Sequence, residues 1–138
     1  MKQARTTIRF QSVGPGLVDV TREVARWVGD QNITDGLLTL FIRHTSASLV
    51  IQENADPDVL LDLQNFFAAI APRAGAYRHS TEGPDDMPAH IKSALTQTSL
   101  SIPVTGRRLA LGTWQGVYLF EHRDRPHRRD VVLHLIGD

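Results

Sequence analysis

At 138 residues, with 41% hydrophobic and 22% charged side chains, the chain has the size and composition of one soluble globular domain, expected to cover residues 1–138. Fifteen basic side chains balance fifteen acidic ones, which argues against non-specific nucleic-acid binding, a mode that relies on excess positive charge. The lack of cysteine excludes disulfides, thiolate metal sites and cysteine nucleophiles; with no signal-peptide pattern and no apolar run near the ~18 residues that span a bilayer, a cytoplasmic protein without a membrane partner is expected.

Residues 4–12 alternate loosely, with Ile8 and Phe10 on one side and Thr7 and Arg9 on the other, which predicts a half-buried strand. Gly14-Pro15-Gly16 breaks it. Val18, Val20, Val24, Ala25, Trp27 and Val28 predict an amphipathic helix, capped by Asp19 or Thr21 and ending near Gly29. Residues 36–44 read as the next strand, in which Leu38, Leu40 and Ile42 share a face and His44 ends that row. Residues 48–53 follow as another strand. Asp56-Pro57 starts a helix by supplying a side-chain cap and then a proline at the first helical position. That helix runs to about Ala71, with Val59, Leu60, Leu63, Phe66, Phe67 and Ile70 on one face.

Residues 72–84, rich in Gly, Pro and small side chains, read as loop. The helix after Pro88 is expected to bury Ile91, Ala94 and Leu95, with His90 in its first turn. Residues 98–104 and 107–111 read as a hairpin around Thr105-Gly106, and two longer strands, 113–123 and 128–136, flank the polar turn 124–127. Strands outnumber helices, and helices do not separate each pair of strands. The expected fold class is therefore α+β, with mainly antiparallel strands and two to three helices packed on the sheet.

Chemistry concentrates at three junctions. Asp85, Asp86, His90 and Lys92 fall inside eight residues where a proline-stiffened loop becomes a helix. One acid suffices as a cap, and two adjacent carboxylates repel, so a cation such as Mg²⁺ is a natural neutraliser. His44 ends a strand row beside two hydroxyls, Thr45 and Ser46, which can bind phosphate oxygens. As a base, a ligand or a hydrogen-bonded structural histidine, His44 stays open. His44, His79 and His90 could together form a nitrogen-rich metal site, although their spacing matches no zinc pattern. Glu53 lies before the cap of a helix, at a strand end, and is open to function. In strand 113–123, Gln115 and the Glu121/Arg123 pair fall on a largely apolar face and require partners; an internal ion pair between Glu121 and Arg123 would supply one. His122, His127 and His134 read as ordinary surface or core histidines.

Several stretches together resemble the YjbQ family, also called the secondary thiamine-phosphate synthase family. They are His44-Thr45-Ser46-Ala47-Ser48-Leu49, Glu53-Asn54-Ala55-Asp56-Pro57-Asp58-Val59, Tyr77-Arg78-His79, Glu82-Gly83-Pro84-Asp85-Asp86-Met87-Pro88-Ala89-His90-Ile91-Lys92, Gly112-Thr113-Trp114-Gln115-Gly116-Val117-Tyr118-Leu119 and Glu121-His122-Arg123. The resemblance implies a β-sandwich-like core, a homotrimer, and a pocket near a subunit interface holding His44, His79, Asp86 and His90. It also implies a thiamine-phosphate synthase activity, which joins a pyrimidine pyrophosphate to a thiazole phosphate and releases pyrophosphate. On that reading Asp86 holds a divalent metal (Mg²⁺ or Zn²⁺) against the departing group. His44 and His90 move protons or bind the metal with His79, and Glu53 stabilises cationic character. Thr45, Ser46, Lys92, Gln115 and Arg123 then contact a phosphorylated small-molecule substrate. A metal- or metabolite-binding homotrimer without turnover, and a phosphate-ester hydrolase, are the alternatives.

Overall fold

A computed structural model describes residues 1–138 as eight strands and three helices. In chain order they are β1 (Lys2–Gln11), β2 (Gly16–Asp19), α1 (Thr21–Asp30), β3 (Gly36–Ile42), β4 (Ala47–Glu53), α2 (Pro57–Ile70), α3 (Asp86–Leu95), β5 (Ser99–Thr105), β6 (Arg108–Leu109), β7 (Gln115–Glu121) and β8 (Arg128–Gly137). The strands form a five-stranded sheet in the order β1-β8-β3-β5-β6 and a three-stranded sheet in the order β2-β7-β4. Every ladder is antiparallel, as the α+β reading expects.

Period-two alternation builds the core between the sheets. Leu38, Leu40 and Ile42 of β3 and Val131, Leu133 and Leu135 of β8 point inward from the larger sheet. Ala47 and Leu49 of β4 and Val117 and Leu119 of β7 meet them from the smaller one. Val24 and Val28, one turn apart on α1, close one side of the same cluster. Gly36 lies opposite Gly137 in the β3–β8 ladder, and a Cβ on Gly36 would sit 2.2 Å from the carbonyl oxygen of Ile136. The backbones approach too closely there for any side chain.

Three local expectations are corrected. The segment 16–19 is not the start of a helix: it pairs with residues 118–121 of β7, so Val18 belongs to β2 and α1 begins at Thr21. The N-cap is Val20; Asp19 instead accepts from the amide and the hydroxyl of Thr21. The apolar face expected on α2 is not buried, for no residue of that helix is buried and Phe66 is 58% exposed. Val59, Leu60, Leu63 and Phe67 are half-buried, and the Phe67 ring meets Phe120 edge-on at 5.6 Å. Asp56 does cap this helix, accepting from the amide of Asp58.

Helix α3 begins at Asp86, two residues before Pro88, because a proline in the first turn sacrifices no intrahelical hydrogen bond. It buries Asp86, Pro88, Ala89 and Ser93, whereas Leu95 and Ala94 are exposed and Ile91 is half-buried. The phase that buries Asp86 is tolerable only because that carboxylate is fully partnered. No helix is long and apolar enough to cross a membrane.

Candidate functional site

The start of α3 carries the densest chemistry. Asp86 is 1% exposed, and its two carboxylate oxygens face different partners. Oδ1 pairs with Nη1 of Arg123 at 2.9 Å. Oδ2 faces Nε2 of His79 at 2.6 Å and Nε2 of His90 at 3.1 Å. His79 comes from the loop before the helix, and His90 lies one turn along it. The three potential ligand atoms all fall within 4.8 Å of one another. Arg123, just beyond β7, also donates from Nε to Oδ2 of Asp85 at 2.8 Å and from Nη2 to the carbonyl of Glu82 at 3.1 Å. It therefore ties down both acids and the loop that leads to them. Burial would raise the Asp85 carboxyl, but the bonds from Arg123 and from the amide of Asp124 hold it down at about 2. Burial also opposes ionisation of Asp86, yet the His79 bond and the charges of His90 and Arg123 keep it below the usual carboxylate range.

Backbone partners fix the ring tautomers. His90 Nδ1 lies 2.9 Å from the carbonyl oxygen of Thr45, which can only accept, so Nδ1 carries a proton. In the neutral ring Nε2 is then a bare lone pair aimed at Asp86 Oδ2. Two lone pairs at 3.1 Å repel unless a proton or a metal cation stands between them. An imidazole whose other N–H is fixed on a backbone carbonyl is the usual support for a metal ligand. Two imidazoles and a carboxylate thus make a donor set that fits a divalent transition metal.

His44 lies elsewhere. The amide of Asp130 donates to its Nε2 at 2.8 Å, so that lone pair is occupied and Nδ1 bears the proton, 3.5 Å from Nη1 of Arg129. Burial, reinforced by the Arg129 charge, pushes this imidazole's pKa down. The candidate centre is consequently His79, Asp86 and His90, without His44. Thr45 contributes its carbonyl, and buried Ser46 gives its own carbonyl to Arg129. Glu53 and Gln115 pair at one end of the β4–β7 ladder, whereas the candidate centre adjoins the other end. Six residues of strand, about 20 Å, separate them from Ala47. Gln115 Oε1 accepts from the amide of Gly112 and so closes a turn.

The expected Glu121/Arg123 ion pair is corrected as well. Strand β7 ends at Glu121, freeing Arg123 to turn toward Asp85 and Asp86. The partner of Glu121 is Arg129 of β8, which donates to both carboxylate oxygens. Ser12 donates to Oε1 at 2.5 Å, and the amides of His122 and Arg123 donate to Oε2.

A buried polar relay went unread in the sequence. His122 is 2% exposed, and its Nε2 lies 2.9 Å from Ser48 Oγ, which lies 2.5 Å from Thr96 Oγ1. Thr96 has one hydroxyl proton, and the carbonyl of Lys92, at 2.8 Å, can only accept it. Ser48 must then donate to Thr96, and His122 Nε2–H to Ser48. This leaves His122 Nδ1 a bare acceptor, buried and without a partner. Burial, with help from the Lys92 charge, drops the imidazole's pKa to about 3. Histidine-detected ¹H–¹⁵N NMR of the metal-free protein near neutral pH should show His44 as the Nδ1–H tautomer and His122 as Nε2–H. A ring of His122 protonated on Nδ1 would overturn the relay as drawn.

The comparisons agree with this architecture. The family model described as UPF0047 protein YjbQ-like matches residues 6–138. A UPF0047 protein of Synechocystis is 54% identical over 138 residues, covering 99% of this chain and 94% of its own. The Escherichia coli YjbQ protein is 42% identical over 133 residues, covering 96% of each. Among solved structures, a conserved hypothetical protein from Thermus thermophilus superposes with a TM-score of 0.85 at 36% identity, over 95% of this chain and 99% of that one. A YjbQ-like protein of unknown function from Sulfolobus solfataricus gives a TM-score of 0.88 at 20% identity, covering 99% of this chain and 100% of that one, a likeness of fold alone. With the family model covering nearly its whole length, the chain belongs to the YjbQ/UPF0047 family.

Proposed function

We propose that His79, Asp86 and His90 hold a divalent transition metal and that the chain is an enzyme acting on a phosphorylated small molecule. In its specific form the reaction is that of a thiamine-phosphate synthase, joining a pyrimidine pyrophosphate to a thiazole phosphate with release of pyrophosphate. The observation that carries this reading is the convergence of three ligand atoms within 4.8 Å, with the His90 lone pair aimed at a carboxylate. Imidazole donors suit Zn²⁺ better than Mg²⁺, which prefers an all-oxygen shell. When bound, such an ion supplies Lewis-acid stabilisation of phosphate oxygens. The chain's own residues orient the site: the Thr45 carbonyl fixes the His90 ring, and Arg123 holds Asp86 so that Oδ2 faces the histidines.

The same proposal takes the assembly to be a homotrimer. Glu53 and Gln115 lie too far along the strands to reach the centre of their own chain, so they would serve it from a neighbouring copy. Apolar surface at Leu61, Phe66 and Ile70 of α2 and at Phe41 of β3 supports contact between copies.

Metal analysis of the purified protein, followed by a pyrophosphate-release assay with both substrates, tests the reading. Wild type should carry close to one ion per chain and release pyrophosphate. Asp86→Ala and His90→Ala should each weaken metal affinity by at least the ~10–100-fold that loss of an outer-shell partner costs and lose the activity. An Asp86→Ala variant as active as wild type would sink the catalytic part. Stoichiometric metal without turnover of any phosphorylated substrate would leave a binding protein instead.

A further inference from the structure

A cleft of 560 Å³ lies between α2 and α3, within the range of small-molecule sites. It shares Arg73 and Pro88 with the smaller recess lined by His79. Phe67 and Phe120, edge to face, supply aromatic wall, and five charged side chains line the rest. Four of those five are held in ion pairs: Asp85 with Arg123, which it shares with Asp86, Asp124 with Arg73, and Glu121 with Arg129. Lys92 is the fifth, half-buried and absent from every ion pair in the chain. Lys92 is thus the one charged side chain of the cleft wall with no ion-pair partner of its own. Beside it stands the neutral His122 ring, whose Nδ1 is a buried acceptor lacking a donor. A fully ionised anion would satisfy Lys92 but face Nδ1 lone pair to lone pair.

We propose that this cleft binds a small oxyanion that retains a proton, hydrogen phosphate or its monoester, with its charged oxygen on Lys92 and its P–OH donating to His122 Nδ1. The unpaired Lys92 side chain is the movable part of the wall and swings onto the anion as it enters. Selectivity follows from the relay: because the Lys92 carbonyl orients the Thr96, Ser48 and His122 protons in sequence, Nδ1 can only accept. Sulfate, which has no proton to give, is disfavoured although its shape is the same. The site needs no metal, so it stands apart from the proposed centre at Asp86.

The test is calorimetric titration of chelator-stripped, full-length protein at pH 5, below the second pKa of about 6 of a phosphate monoester, so that both phosphate probes retain a proton. Inorganic phosphate, phenyl phosphate and sulfate are compared. Phosphate should bind saturably and sulfate roughly tenfold or more weakly, with Lys92→Met weakening phosphate by a similar factor. His122→Gln should erase the preference for phosphate over sulfate. Tighter binding of phenyl phosphate than of phosphate assigns the monoester as ligand; weaker binding assigns the free ion. Equal binding of sulfate, no binding, or indifference to Lys92→Met overturns the inference. Binding that returns only with added metal also overturns it, and leaves the metal-centre reading standing.

Discussion

Replacing Arg129 by leucine is expected to lower the stability of the fold by about 3–5 kcal/mol, the range for removing one partner of a buried ion pair. Arg129 is 4% exposed, and Glu121, its partner, is completely buried. The guanidinium reaches both carboxylate oxygens, a two-point arrangement that combines charge with fixed geometry. Without it, Ser12 and two backbone amides still bond Glu121, but no positive charge remains to offset desolvation of the carboxylate. Urea unfolding should show the loss as a midpoint shift of roughly 1 M or more, taking a slope of 1–3 kcal/mol per M. The double variant Glu121→Leu/Arg129→Leu should recover part of it, since apolar replacement removes both charges together. Recovery stays partial because the amides of His122 and Arg123 lose their acceptor. Arg129→Leu within 1 kcal/mol of wild type would mean that the pair contributes little.

The same carboxylate links the core to the candidate site. Glu121 Oε2 accepts from the amide of Arg123 at 3.2 Å, so it fixes the backbone from which the guanidinium reaches Asp85 and Asp86. Loss of Arg129 should accordingly be felt at the candidate site, through a looser Asp86, as well as in global stability.

Strand identity was readable wherever alternation was strong: β3, β4, β7 and β8 fall within about two residues of their expected limits. Register was not, since a period of two fixes the face of a side chain but not its neighbour on the next strand. That is why Glu121 was matched with Arg123, on its own strand, when its partner is eight residues on in β8. Segment 16–19 failed for a related reason. Its valines fit a helix as well as a strand, and pairing with β7 decided the matter. On α2 the apolar spacing was real, yet the face is only half covered: Val59, Leu60, Leu63 and Phe67 are half-buried and Phe66 and Ile70 are exposed.

In the candidate site, residue type was legible and grouping only in part, since three of the four residues expected in one pocket come together and His44 does not. Asp86 and His90, four apart on one helix, could be placed together from the sequence. His79 joins them through a loop whose path no periodicity encodes. His44 reads like a member of the set, but a single backbone amide at Asp130 takes its free nitrogen. The relay from His122 was missed because its three members lie on β4, beyond β7 and at the end of α3. Its only signal was a histidine continuing the covered face of a central strand.

That histidine should make the fold markedly less stable in mild acid. The imidazole titrates near 6.5 in the unfolded chain but only at about 3 in the folded one. Between those values the unfolded state binds a proton that the folded state refuses, so stability is fully present above pH 6.5 and falls as pH drops toward 3. The slope approaches about 1.4 kcal/mol per pH unit for one proton. Lys92, Glu121 and Arg129 act on the ring, and all three keep their charge through pH 5–6. His44, also shifted down, adds to the wild-type slope in the same direction. Urea unfolding of wild type and His122→Gln at several pH values between 5 and 6 isolates the contribution of His122, because the shifted carboxylates and His44 contribute alike to both slopes. His122→Gln should reduce the slope by close to one proton's worth and leave the part due to His44. The slope is the readout because a lost bond to Ser48 changes absolute stability at every pH but not its pH dependence. Equal slopes in wild type and variant would mean that His122 takes up its proton in the folded protein, which the relay through Ser48 and Thr96 and the burial of the ring both oppose.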